Sequence, residues 1–79
     1  MKSKAGDLVL LKTLPPGFVD DLPRSEQVAI LNAVGSAVLL LGYDDDGRAE
    51  LQFADATTGF IHSIFVDASC YEAIPKTPG

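Results

Sequence analysis

With 79 residues the chain has the length of one small domain, and its 47% of hydrophobic and 22% of charged residues are typical of a globular protein. One cysteine excludes an intramolecular disulfide and a cysteine-based zinc site, and one histidine excludes the multi-histidine metal sites of a single chain. The formal net charge is −5 at pH 7, and three basic residues stand against ten acidic ones after position 12. Because nucleic-acid binding depends on clustered Lys and Arg, we expect no nucleic-acid partner.

The hydropathy pattern predicts neither a secretion signal nor a membrane span. The apolar run at residues 8–11 is shorter than the roughly 7–15 residues of a signal-peptide core. The longest apolar run, at residues 37–41, is far shorter than the roughly 18 residues that span a bilayer. We therefore expect a cytoplasmic protein without a membrane partner, folded as a single domain over residues 1–79 with its core at about residues 6–75.

A strand and a turn are predicted for the beginning of the chain. Residues 8–12 form a short and mostly apolar run, which is typical of a buried strand. Pro15, Pro16 and Gly17 follow it, and a double proline cannot lie inside a strand or a helix. Residues 15–17 are therefore predicted to form a turn.

A helix is predicted over residues 23–34. Asp20 and Asp21 precede it as candidate capping residues, and Pro23 suits the first turn because its missing N–H would have no partner there. Gly35 follows the helix and adopts a left-handed conformation without strain, which is how many helices end.

The apolar residues of this helix predict the face that packs on the core. Val28, Leu31 and Val34 recur every three positions, and Ile30 lies four positions before Val34. This spacing predicts a buried stripe made by Val28, Leu31 and Val34. In such a stripe Leu31→Ala would cost about 2–5 kcal/mol of stability.

The remainder of the chain is predicted to be β-structure. The predicted strands cover residues 37–43, 48–53, 60–66 and 71–74, with turns at 44–47 and 55–59 and a 3₁₀ turn at 67–70. Asp46-Gly47 favours a tight hairpin in which both residues take positive φ. Alternation along the strands places Ala49, Leu51 and Phe53, and then Phe60, Ile64 and Val66, on the core side.

Five short strands, with a 3₁₀ turn before the fifth, predict a mainly β domain with one helix. The segments 6–11, 49–53 and 64–67 resemble small stand-alone bacterial SH3-like barrel proteins, many of them uncharacterised and some carried on mobile elements. The resemblance covers nearly all of residues 6–74 and implies a five-stranded SH3-like barrel, here with a helix inserted between strands one and two. It implies no catalytic residue and no cofactor.

The acidic segment at residues 44–47 has two interpretations. Asp44, Asp45, Asp46 and Gly47 suggest a calcium loop, but aligning Gly47 with the glycine of an EF-hand puts Gly42 and Phe53 where its first and last acidic ligands belong. The sequence therefore predicts no metal site, and a solvated hairpin turn is the favoured interpretation.

His62 and Cys70 are the remaining candidates for chemistry. If the fourth strand points Ile64 inward, His62 points inward as well or lies at the rim of the barrel, as a structural residue or as a base or pH sensor. No local feature marks Cys70 as a thiolate, so we interpret it as a small buried packing residue. We predict no catalytic residue and no enzyme activity.

Aromatic residues give the predicted binding site. Period-two alternation points Phe65 outward, either beneath the helix or toward a partner. Phe18 lies beside the double-proline turn and Tyr43 ends a strand at the rim of the barrel, and each of them either caps the core or anchors a partner. With the nearby acids Asp44 and Asp45, these aromatics are predicted to form a binding surface, because aromatic anchors with a charged surround are typical of interfaces.

The sequence thus predicts a non-catalytic protein-binding or regulatory module with an acidic surface and a basic protein partner. A second copy of the chain is the other partner considered. An immunity- or inhibitor-type protein that neutralises a basic partner is the alternative function. An oligomeric pore enzyme, as in the plasmid-borne type II dihydrofolate reductases of SH3-like fold, is less favoured, because residues 63–66 lack the Gln and Tyr of their Val-Gln-Ile-Tyr stretch.

Overall fold

The computed structural model describes residues 3–74, and the predicted domain ends at residues 1–2 and 75–79 lie outside the described residues. In chain order the elements are β1 (Leu8–Leu11), α1 (Arg24–Ala33), β2 (Ala37–Tyr43), β3 (Ala49–Ala54), β4 (Ile61–Val66), a 3₁₀ turn (Ala68–Cys70) and β5 (Tyr71–Ala73). The predicted mainly β fold, with one helix between the first two strands, is therefore confirmed for these residues.

All five strands belong to one antiparallel sheet with the order β4-β3-β2-β1-β5. The sheet is not closed, so it does not confirm the predicted barrel. Closure would require hydrogen bonds between the two edge strands, β4 and β5, and β5 is only three residues long. An open sheet leaves two edges, each with a row of backbone groups directed away from the sheet.

One face of the sheet forms the core together with α1. Along β1 to β4 the buried residues occur at every second position, because the pleat of a strand directs alternate side chains to the same face. The buried strand residues are Val9, Leu11, Val38, Leu40, Ala49, Leu51, Ile64 and Val66, which cluster with Ile30, Ala33 and Cys70. The prediction that Ala49, Leu51 and Phe53 share the core face is confirmed, because Phe53 packs partly buried against the same cluster.

The helix packs through a different face from the predicted one. Ala29, Ile30 and Ala33 are its buried residues, whereas Val28 and Leu31 are exposed. The prediction that Val28 and Leu31 form a buried stripe with Val34 is therefore wrong for those two residues, although Val34 is partly buried against the core. Ile30 and Ala33 belong to the core cluster, so the helix turns this face toward the sheet and leaves Val28 and Leu31 toward solvent.

The ends of α1 follow the prediction in part. Gly35 has φ +88°, so the predicted left-handed residue after the helix is confirmed. The predicted capping by Asp20 and Asp21 is wrong, because Pro23 is the N-cap residue and no side chain caps the helix. The Gln27 side-chain amide instead donates a hydrogen bond of 2.9 Å to the Leu22 carbonyl oxygen and ties the preceding loop to the first turn.

The fourth strand begins one residue later than predicted. Phe60 is exposed in the β3–β4 turn, so its predicted inward position is wrong. The turn closes through a hydrogen bond of 2.8 Å from the Asp55 N–H to the Phe60 carbonyl oxygen. Ile64 and Val66 are buried, as predicted.

Candidate functional site

A groove of about 560 Å³ runs beside the edge strand β4, and we call it the edge groove. The loop and the helix contribute one set of lining side chains, and β4 with Arg48 of the hairpin before β3 contributes the other. The lining residues are Phe18, Leu22, Glu26, Ile30, Arg48, Ile61, His62, Ser63, Ile64 and Phe65. The structure thus brings together Phe18 and Phe65, two of the predicted binding residues.

Phe65 lies on the sheet face that the helix does not cover. Its neighbours in the strand, Ile64 and Val66, are buried on the core side, and Phe65 itself is 41% exposed. On the same open face it lies opposite Glu50 of β3. The predicted outward direction of Phe65 is confirmed, and of the two positions considered for this ring the one beneath the helix is wrong.

Phe18 reaches the edge groove from the loop between β1 and α1. The Phe18 N–H donates a hydrogen bond of 3.1 Å to the Pro15 carbonyl oxygen, which closes the predicted double-proline turn. The ring is partly buried and packs against the core cluster while also lining the groove. This position fixes one aromatic wall of the groove relative to the sheet.

Tyr43 is not among the residues that line the edge groove. Its ring is partly buried against the core, and its hydroxyl donates a hydrogen bond of 2.6 Å to the Ser3 carbonyl oxygen. This bond ties the beginning of the chain to the end of β2. Tyr43 also hydrogen-bonds Tyr71, and burial together with this bond raises the pKa of Tyr71 to about 12.

The raised pKa of Tyr71 predicts a pH dependence of stability. An unfolded chain ionises this phenol near the ordinary value of 10.0, whereas the folded chain keeps the proton up to about pH 12. The stabilisation is therefore fully present below about pH 10 and is lost as the pH rises toward 12. We expect Tyr71→Phe to make the alkaline loss of stability shallower, which urea unfolding at a series of pH values measures. Equal slopes for the variant and the unchanged chain would contradict the assignment.

The hairpin between β2 and β3 holds Asp44 and Asp45. Gly47 has φ +81°, and within residues 3–74 only glycines have a positive φ. The predicted positive φ of Asp46 is therefore wrong. The Asp44 N–H bonds the Arg48 carbonyl oxygen at 2.9 Å, and the Gly47 N–H bonds the Asp44 carbonyl oxygen at 3.0 Å. The loop therefore has three residues, with the glycine supplying the only left-handed conformation.

The Asp44 carboxylate is occupied within its own hairpin. It accepts hydrogen bonds from the N–H groups of Asp46 at 3.0 Å and Arg48 at 2.8 Å and from the Arg48 Nε at 2.9 Å. Desolvation works to raise the pKa of Asp44, but the hydrogen bonds and the charge of Arg48 outweigh it and lower that pKa. Asp45 is exposed at the tip. No group of three or more His, Cys, Asp or Glu within residues 3–74 could hold a metal ion.

His62 and Cys70 both have a packing role in the structure. The His62 ring stacks on Phe53 with ring centroids 5.8 Å apart and planes at 23°. It lies on the core side of β4, partly buried at one wall of the edge groove, as the direction of Ile64 predicted. Cys70 is buried in the core cluster, which confirms its predicted packing role.

A second cavity, of about 440 Å³, opens near the start of β2 and the end of β3. The observed pairing of these strands reaches only Leu39 and Gln52, so Ala37 and Ala54 have no register partner across the two strands. The only ionisable lining residue is Asp55, whose carboxylate accepts the Thr57 N–H at 2.8 Å. Apart from its apolar side chains, this cavity is lined by one carboxylate that the turn already uses and by the neutral polar residues Asn32, Ser36 and Gln52.

Three residues that line the edge groove have no distinct signal in the sequence, namely Leu22, Glu26 and Ile30. Their only local signal is helical spacing, since Glu26 and Ile30 lie four positions apart and Leu22 four positions earlier. That signal predicts a common face but does not tell which strand this face lies beside.

Comparison with protein-family models, with curated proteins and with solved structures finds no match in any of the three. Within residues 3–74 the only α-helix has ten residues, so it is too short to cross a membrane. The edge groove combines the Phe18 and Phe65 rings with the charged side chains of Glu26 and Arg48.

Proposed function

We propose that the chain is a non-catalytic protein-binding module whose partner occupies the edge groove. The observation that carries the proposal is the placement of Phe18 and Phe65 at one groove beside an uncovered strand. Large aromatic side chains in a partly desolvated surface supply most of the binding energy of many interfaces. A contiguous apolar surface of this kind on a small domain is typical of an interaction site.

The charge around the groove supports a basic partner. Asp20 and Asp21 are exposed and close in sequence to Phe18 and Leu22, and Glu26 lines the groove itself. Acidic groups around apolar anchors attract a basic partner and speed its encounter, while the anchors slow its dissociation. The net charge of −5 agrees in sign with this local pattern.

The strand order supports a relation to SH3-like barrels as part of the same proposal. Strands β1 to β4 follow one another as neighbours except for the helix insertion, and β5 returns beside β1. This is the order that the resemblance implies. In this relation, the helix takes the place of the long loop of such domains and forms one wall of the binding groove. The cytoplasmic location stays a prediction.

We expect Phe65→Ser to weaken the partner complex by about 2 kcal/mol, or roughly 30-fold in Kd, while leaving the fold intact. The reason is that Phe65 offers apolar surface on the open face and contributes little to the core. A partner isolated on the immobilised chain is purified, and its Kd for each variant is measured by isothermal titration calorimetry. The melting temperature of each variant is measured in parallel.

Leu8→Ser is the matched control for this experiment. Leu8 is also an exposed apolar residue on the open face of the sheet, but it lies on β1, three strands away from β4, and does not line the edge groove. We expect its Kd to match that of the unchanged chain. A large drop in melting temperature for Phe65→Ser, or an equal loss of affinity for both variants, would contradict binding at the edge groove.

A further inference from the structure

The edge strand β4 lacks the features that usually protect a sheet edge. Natural edge strands carry charges, proline or bulges that prevent another chain from pairing with them. Residues 61–66 read Ile-His-Ser-Ile-Phe-Val and contain no Lys, Arg, Asp, Glu or Pro. The pairing of β4 with β3 is regular over six residue pairs, whereas that of β2 with β3 shifts between Leu40 and Gly42. The outer edge of β4 therefore has a regular register, carries no Lys, Arg, Asp or Glu, and is open to pairing.

The register identifies which backbone groups point away from the sheet. The hydrogen bond from the Asp55 N–H to the Phe60 carbonyl oxygen makes these two residues a hydrogen-bonded pair. Such pairs alternate along an antiparallel ladder, so the pairs of β4 bonded to β3 are those of His62, Ile64 and Val66. The N–H and carbonyl groups of Ile61, Ser63 and Phe65 consequently point outward, at the spacing that another strand requires.

We propose that the partner binds by adding an extended, basic segment to β4 as a sixth strand of the sheet. This inference rests on the proposed function and names its mode of binding. Main-chain hydrogen bonds to Ile61, Ser63 and Phe65 would supply affinity, and alternate side chains of the segment would supply specificity. Side chains on the helix side would enter the edge groove beside Phe18 and Leu22, where apolar residues fit.

Charge identifies the occupant as a basic segment. Arg48, the only Lys or Arg that lines the groove, is paired with Asp44 at 2.9 Å and with Asp46 at 3.7 Å. Glu26 and Asp45 have no such ion pair among the described residues, so the groove and its hairpin end keep a negative charge. A second copy of the chain would bring a further net charge of −5 to this acidic surface, so charge favours Lys- and Arg-bearing peptide over self-pairing.

Ser63→Pro tests strand addition because it removes one outward N–H without removing a bond to β3. Proline is tolerated on an edge strand when its nitrogen faces away from the ladder. The probe is a phage-displayed library of random dodecapeptides selected on the unchanged chain. We expect selected peptides to combine Lys or Arg with apolar residues at alternate positions. Ser63→Pro should weaken their binding at least about tenfold, and Ser63→Ala, which keeps the N–H, should weaken it much less.

Ile61→Pro repeats the test at the first residue of β4 should Ser63→Pro fail to fold. Selected peptides that are acidic or proline-rich, or peptides that bind the folded proline variant as tightly as the unchanged chain, would overturn strand addition. If the folded proline variant binds as tightly as the unchanged chain but Phe65→Ser weakens binding, the protein-binding function stands and only its proposed mode is wrong. If neither variant weakens binding, the edge groove is not the site. A dimer in sedimentation that Ser63→Pro converts to a monomer would make a second copy the occupant and overturn the peptide assignment.

Discussion

Leu51→Ala is expected to lower the free energy of unfolding by about 2–5 kcal/mol. Leu51 is fully buried in β3, where it lies opposite Leu40 of β2 and Ile64 of β4. Truncation of Leu51 removes apolar contacts and leaves a cavity. The cavity cannot collapse, because β3 is held by hydrogen bonds to β2 on one side and to β4 on the other. A domain of 79 residues has a total stability on the order of 5–10 kcal/mol, so this single change removes a large part of it. Urea unfolding followed by circular dichroism measures the effect.

Leu8→Ala is the matched control for Leu51→Ala. It deletes the same atoms from a strand of the same sheet, but Leu8 is 57% exposed on the open face. We expect a loss below about 1 kcal/mol, as for most surface substitutions. Equal losses for the two variants would mean that the open face is buried in solution, which would contradict its assignment as uncovered.

The strands could be predicted from the sequence because each has a strong local signal. The run Ala37–Tyr43 is apolar and ends at a hairpin turn, and Ala49–Ala54 alternates with a period of two. Glycine and proline mark the turns between the elements. Such signals depend on residues next to one another in the chain, so they can be recognised without knowledge of the tertiary fold.

The helix face could not be predicted because two apolar sets overlap on α1. Val28 and Leu31 belong to one set, whereas Ala29, Ile30 and Ala33 form the set that is buried. The choice between the sets depends on how the helix docks on the sheet, which is a tertiary property. Closure of the sheet is equally non-local, because it depends on the summed twist of five strands.

The candidate site was predictable only in the direction of single side chains. Alternation sufficed to point Phe65 outward. It could not place Phe18 at the same groove, since the two residues lie on different elements separated by most of the chain. The hydrogen bond from the Tyr43 hydroxyl to the Ser3 carbonyl oxygen joins residues 40 positions apart and has no local signal in the sequence. The sequence therefore predicts Tyr43 at a binding surface, whereas its hydroxyl bonds the backbone of the same chain.

The edge groove depends on the docking of α1, because the helix provides one of its walls. Ile30 is the largest buried side chain of the helix and also lines the groove. We expect Ile30→Ala to lower the free energy of unfolding by about 2–4 kcal/mol, because Ile30 is only 4% exposed and fills the space between helix and sheet. Chemical denaturation measures this loss, and far-ultraviolet circular dichroism shows whether the helix is retained.

Leu31→Ala separates this packing effect from helix propensity. The two residues are neighbours, both substitutions create an alanine, and alanine favours the helix at either position. Leu31 is 53% exposed, so its truncation should cost less than about 1 kcal/mol, in place of the larger loss that the predicted stripe implies. A loss for Leu31→Ala equal to or larger than that for Ile30→Ala would mean that the helix is rotated to its predicted face. The groove wall would then be formed by other residues, and the binding surface would need to be assigned again.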